Sequence, residues 1–397
     1  MASKSRLYYF IFLVLPFNIA AQSITRIDNS QVRPAELDEK ISELVKKGNV
    51  HGLAITIFNN NRIVYKKVFG YKRFDTKEPL QTNTNFYGAS LSKAVFAVLV
   101  MKLVEEKVID LDVPLQSYLP KPVYEYGKGT SWNRDYTDLR TDTLYSKITA
   151  RMCLDHTTGF PNWRWYEPDQ KLRVLFQPGS GYSYSGEGFC YLQFVLENKT
   201  GKTLEELMEQ KVFGPLHMIT SAYTWLPRFE KNYCFGHDTS GTVLEKDKDN
   251  APRSPSTLET TPDDYSLFLQ GVLQKKILNA SSYKILFTPQ LRIRSIVQME
   301  PRSWLDTANA DNDGIALGYA LGWGILQTPY GFGVFKEGHG DGFQHYSILF
   351  PGKKSGILIM TNSDNGEGIF KELLDVAIGD KFTPWKWQQY VPYDQKN

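Results

Sequence analysis

Residues 91–104, LSKAVFAVLVMKLV, are apolar on nearly every face of a helix, and no other stretch constrains the chain as strongly. A helix apolar all round belongs inside a large core, so other elements must surround it. The 397 residues, 42% hydrophobic and 22% charged, can build such a core as one large domain or two intimate subdomains. One residue does not fit. Lys93 falls in the opening turn of this helix, three positions after Ser90 in GASLSK.

Residues three apart lie on one helix face, which makes Ser90 and Lys93 neighbours while Ser92 points elsewhere. Burial lowers a lysine's pKa because desolvation disfavours the ammonium, and a neutral lysine can act as a base. A serine hydroxyl needs such a base to become a nucleophile. The helix N-terminus adds free N–H groups and positive potential where an oxyanion would form. The simpler alternative is a capping Ser90 and a Lys93 that snorkels to solvent. A capping box, however, would carry Glu or Gln where Lys93 stands.

Strand patterns flank this helix at a distance. HGLAITIFNNNRIVYKKVFGYKR reads as two strands around a turn at Asn59 to Asn61, and YALGWGILQT, FGVFKEGHG, QHYSILF and GILIMTNS are short aromatic and β-branched runs near the other end. Between Lys147 and Lys275 the patterns are helical, broken by Gly and Pro turns. These patterns predict an α/β (α+β) fold, a single domain over 22–397 with an antiparallel sheet from N- and C-terminal segments (about 34–80 and 315–385). Helices flank the sheet, a mostly helical subdomain (about 90–310) is inserted, and the cleft between them is the expected site. The polar, aromatic-spotted stretch 124–145 reads as an insertion or lid.

The N-terminus has Lys4 and Arg6, an apolar run from Leu7, and small residues at Ala20 and Ala21. That is the build of a signal peptide over 1–21, too short for a membrane span, and it predicts a periplasmic or secreted protein without a stable membrane anchor. Cleavage takes the net charge from +3 to +1, since Lys4 and Arg6 go and no acid does, so nucleic acid is not an expected partner. Cys153, Cys190 and Cys234 are widely spaced, giving neither a disulfide framework nor paired metal ligands. His339, Asp341 and His345 lack regular ligand spacing, so neither metal nor cofactor is expected.

Beside Ser90-Leu91-Ser92-Lys93, the segments LDHTTGFPNW (154–163), PGSGYSYSGEGF (178–189), SPSTLETTPDDYSLFLQGVL and GYALGWGI follow one another in an order with a known counterpart. The sequence resembles the serine β-lactamase and penicillin-binding protein superfamily, in its class C-like branch. The resemblance implies Ser90 as nucleophile, Lys93 as its partner and Tyr184 as the tyrosine that assists proton transfer. It also implies a K-T-G or H-x-G element, expected in EGHGDGF with His339 in the lysine or histidine place, and oxyanion donors at Ser90 and near Gly342. Three departures stand out: Gly186 where the family usually has Asn, His339 in place of a permanent cation, and Asp341 where the motif normally ends in Gly.

Each departure works against gripping a β-lactam or a peptide C-terminus. The expectation is an exported serine hydrolase acting through an acyl-enzyme on an ester or small amide, a small molecule or peptide. A D-alanyl carboxypeptidase or weak β-lactamase, and a non-catalytic cell-wall or partner-binding module, are the alternatives.

Overall fold

The computed structural model describes residues 23–129, 131–248, 251–299 and 309–395, so the signal-like segment 1–21 lies outside the described residues. A short hairpin, β1 (Ile24–Thr25) and β2 (Gln31–Val32), leads into α1 (Pro34–Lys47). Strands β3 (Gly52–Asn59), β4 (Arg62–Arg73) and β5 (Glu78–Pro79) follow. Then β6 (Phe86–Tyr87) introduces α2 (Leu91–Glu105), the apolar helix. The middle of the chain holds α3 (Ala150–Leu154), α4 (Gly186–Thr200), α5 (Leu204–Met208), α6 (Gly214–Leu216), β7 (Glu259–Thr260), α7 (Pro262–Leu273) and α8 (Ala280–Leu286). Strands β8 (Leu291–Arg292), β9 (Gly318–Tyr319), β10 (Gly324–Thr328), β11 (Gly331–Gly340), β12 (Phe343–Phe350) and β13 (Ser355–Thr361) precede α9 (Phe370–Ile378).

Nine strands form one sheet in the order β5-β4-β3-β13-β12-β11-β10-β9-β8, antiparallel throughout. The first and last long strands meet at β3–β13, which closes the sheet from the two ends of the chain as the sequence pattern predicts. Local chemistry sets the hairpins: Asn60 and Asn61 take φ of 50° and 59°, the left-handed pair that a tight β3–β4 turn requires. One strand departs from expectation. Leu291–Arg292 joins the sheet as its far edge from within the stretch read as helical.

Apolar clusters line both faces of the sheet. α2, buried from Leu91 to Met101, sits in the cluster shared with α4 and α7 on one face. The opposite face is covered by α1, α9 and the C-terminal Trp385 and Trp387. The stretch 124–145 forms single-turn helices against α4, with the buried Tyr136 ring 5.5 Å from Tyr191 and 5.1 Å from Phe194. Tyr126 adds a second ring on Phe194 at 5.1 Å, and polar residues cap local turns, as when Asp135 Oδ1 accepts from the Thr137 N–H at 3.0 Å. The three cysteines are buried and free.

Candidate active site

The site begins with the first turn of α2. Ala89 lies at φ 46°, a left-handed conformation that a residue with a Cβ rarely takes, and it delivers Ser90 half-exposed at the helix start. Neighbours fix this turn: Ser92 Oγ donates to Ala89 O at 2.5 Å and accepts from the Leu258 N–H at 3.1 Å, while the Tyr223 hydroxyl donates to Ser92 O at 2.7 Å. Ser92 is therefore structural. The Ser90 side chain makes no cap bond, which rules out the simpler reading of that residue.

Lys93 is 1% exposed, so it does not snorkel. Its Nζ lies 3.0 Å from Ser90 Oγ and 3.0 Å from Pro255 O. Burial first, and then the nearby Lys336 ammonium, hold its pKa well below the ordinary lysine value. The neutral amine can then accept the serine proton.

Tyr184 completes the group from the segment entering α4. Lys93 Nζ stands 4.7 Å from the centre of its ring, and its hydroxyl accepts from Lys336 Nζ at 3.0 Å. Burial raises its pKa and the Lys336 charge only partly offsets this, so the phenol keeps its proton at neutral pH. His156, from the LDHTTG turn, lies against the tyrosine with ring centres 4.3 Å apart. Its Nδ1 accepts from the Ser185 N–H at 3.0 Å and its Nε2 faces the Tyr319 hydroxyl at 3.3 Å. Burial keeps this imidazole neutral, so it serves as a wall that sets the tyrosine ring.

Lys336 was not among the residues predicted, and it corrects the register of the third element. Successive side chains of a strand point to opposite faces. A Cβ built on Gly338 would meet Gly88 O at 2.9 Å and Leu91 N at 3.3 Å, and one on Gly340 would meet the Tyr87 ring, so 336, 338 and 340 face the site. His339 faces the other way, with Nε2 3.3 Å from Glu367 Oε1. Burial pulls the His339 pKa down, and the Glu367 hydrogen bond and charge more than reverse this. The K-x-G element is thus Lys336-Glu337-Gly338, three residues upstream of the expected place. Its signal was readable in FKEGHG, but GHGDG offered a competing match.

The other two residues of the expected element also lie elsewhere. Asp341 is exposed in the β11–β12 turn, and Gly342 occupies that turn at φ 73°, where a Cβ would come within 2.4 Å of His237 N. The Gly342 N–H donates to Asp364 Oδ1 at 2.9 Å, so it is not an oxyanion donor. His345 is buried in β12, with Nε2 2.8 Å from Tyr87 O, and no metal-ligand cluster occurs among the described residues.

Glu337 has no counterpart among the sequence candidates. Its carboxylate pairs with the Lys336 ammonium, and its Oε1 accepts from Gln298 Nε2 at 2.7 Å. Burial opposes both charges, yet each partner overrides it: Lys336 is raised and Glu337 is lowered. Gln298 is itself anchored by its N–H to Trp387 O at 3.0 Å, which ties the C-terminal segment to the site. Gly186, which stands where the family usually has Asn beside the substrate, opens α4 two residues beyond Tyr184, and the missing side chain's place is taken by the Trp163 ring, 2.4 Å from where a Cβ would stand.

The Beta-lactamase family model matches residues 37–378. Protein flp of Staphylococcus aureus strain COL is 24% identical over 331 residues, covering 82% of this chain and 62% of the relative. The chain therefore spans under two thirds of that relative's length. EstCE1, a hydrolase with promiscuous acyltransferase activity, superposes with a TM-score of 0.67 at 17% identity over 87% of this chain and 98% of that one. The D-alanine carboxypeptidase AmpC from Burkholderia cenocepacia gives 0.64 at 18% over 83% and 93%. Both structures share the fold.

Proposed function

Since this chain belongs to the beta-lactamase family, we propose that it is an exported serine hydrolase that cleaves an ester or small amide through an acyl-enzyme. The observation that carries this reading is the buried Lys93 amine 3.0 Å from Ser90 Oγ, with the Tyr184 ring 4.7 Å from the same nitrogen.

Lys93 takes the Ser90 proton as Oγ bonds to the substrate carbonyl carbon, and the carbonyl electrons move to oxygen. The Ser90 N–H and the backbone N–H just past Gly338, at His339, are the donors for that oxyanion. The registered β10 pairing of β11 stops at Phe335, which leaves the edge beyond it for substrate. Collapse of the intermediate breaks the bond to the leaving group, which takes a proton from the Tyr184 hydroxyl; Lys93 returns the proton to Tyr184. Water then repeats the sequence on the acyl-enzyme and frees Ser90.

An activated ester with wild type and Ser90→Ala tests the proposal, and equal rates remove Ser90 from the mechanism. Intact mass after a fluorophosphonate probe separates an enzyme from a binding module, which gains no adduct. N-terminal sequencing of the extracytoplasmic protein tests export, with a mature start after Ala21 expected.

One observation favours a second reading, a D-alanyl carboxypeptidase. Lys336 is a fixed cation in the site, and a substrate carboxylate needs one. Glu337 already neutralises it, which supports the ester or amide reading over this one. Release of D-alanine from a D-Ala-D-Ala peptide at a rate matching ester turnover would reverse that order.

A further inference from the structure

We propose that Trp132, Trp163 and Trp165 form a subsite for a flat, apolar acyl group, of the phenyl type, beside the scissile carbonyl; this rests on the hydrolase reading above. Three indoles converge at the entrance to α4. Trp163 and Trp165 are stacked with ring centres 5.1 Å apart and planes 11° from parallel, and Trp132 stands edge-on to both, at 5.5 and 4.7 Å. Trp165 is 43% exposed, an unusual setting for so large an apolar ring.

The cluster is held rigidly. Arg164, between the stacked pair in sequence, is buried, and its Nε and Nη2 donate to the two Glu187 carboxylate oxygens at 2.9 Å each. Its Nη1 donates to Asp135 O at 2.7 Å and its guanidinium lies 5.6 Å from the Trp132 ring. A ligand meeting this wall loses little free energy to ordering it.

Position links the wall to the chemistry on two sides. Trp163 covers Gly186, two residues past Tyr184, and the Arg253 guanidinium lies 5.8 Å from the Trp132 ring, two residues before the Pro255 carbonyl that binds Lys93. Trp163 therefore stands against the turn that carries Tyr184, and Trp132 near the loop that supplies Pro255. At 186 there is no side-chain amide for an acylamino substituent, and Asn162 Oδ1 is occupied by the Gly186 N–H at 3.1 Å. What replaces the amide is an indole ring, an apolar neighbour that favours an aryl group over a polar one.

The test compares kcat/KM for the 4-nitrophenyl esters of acetate and phenylacetate. Wild type should prefer phenylacetate by about tenfold or more. Trp163→Ala should abolish most of that preference, chiefly through KM. Trp165→Ala, at an exposed position where folding is not at stake, should reduce it about threefold. In Trp163→Ala, adding Gly186→Asn should be tolerated, whereas Gly186→Asn alone should lower Tm, because the asparagine then has room. A wild type without the preference, or a preference unchanged in both tryptophan variants, overturns the subsite. If neither ester is cleaved, the hydrolase reading fails separately, and calorimetry of phenylacetamide with Ser90→Ala decides the subsite. Binding that disappears on adding Trp163→Ala upholds it, and no binding overturns it.

Discussion

Lys93 at the start of α2 and Lys336 on β11 are both fully buried, and both touch the same tyrosine, with Nζ 4.7 and 5.0 Å from the Tyr184 ring centre. Burial drives both toward neutrality. Only Lys336 has a carboxylate against it, and Glu337 raises its pKa while Lys93 falls well below the ordinary value. The charge kept on Lys336 in turn pushes Lys93 further toward the free amine. Two identical side chains thus become a base and a fixed cation through the placement of one glutamate.

The comparison breaks most sharply at Lys93. Lys93→Met removes the base and should lower kcat for an activated ester by roughly 10³-fold or more. Lys93→Arg should not restore it, because a guanidinium stays charged. An active arginine variant would mean that Lys93 is no base.

Removing the cation instead strands a buried carboxylate. Lys336→Met should destabilise the fold by about 3–5 kcal/mol in urea unfolding, and Lys336→Met/Glu337→Gln should recover most of that loss. A single variant as stable as the double would show that the pair is not ionised.

The pH dependence sharpens the same contrast. Lys93 works deprotonated, so the rate should fall on acidification through its depressed pKa and hold toward alkaline pH. In Lys336→Met the repulsion is gone while Glu337 still attracts charge, so this acid limb should move to higher pH. Stability follows the same sign. A lowered lysine pKa means the unfolded chain binds more protons between the two values, so Lys93 makes stability rise with pH there.

The smallest effect is expected on the other face of β11. Glu367→Gln should lower the His339 pKa in an NMR titration and change the ester rate by less than about threefold, since that side chain points away from Ser90. Because the His339 pKa is raised, its contribution to stability is present below the unfolded value and is lost as pH rises through the folded one. A rate loss like that of Lys93→Met would return the His339 side chain to the mechanism.

How much was legible differs from residue to residue. Ser90 and Lys93 could be read because helical spacing is a local rule, and Tyr184 because its flanking residues resemble a known turn. His339 was misread for an equally local reason: EGHGDGF and FKEGHG both contain a basic residue near glycines, and a change of register by an odd number of residues turns each side chain to the other face. Contacts across the fold decide between them: Lys336 reaches Tyr184, Gly338 lies against Gly88 and Leu91, and His339 turns to Glu367.

By itself the sequence determined the buried helix, the serine and lysine one turn apart, and a sheet drawn from both chain ends. Those follow from periodicities of a few residues. The tertiary structure alone decided that Lys336 meets Tyr184, 152 positions away, that Glu337 keeps it charged, and that Trp163 fills the space over Gly186. Protonation states and pocket walls depend on what lies across a contact, and distance along the chain carries no record of that.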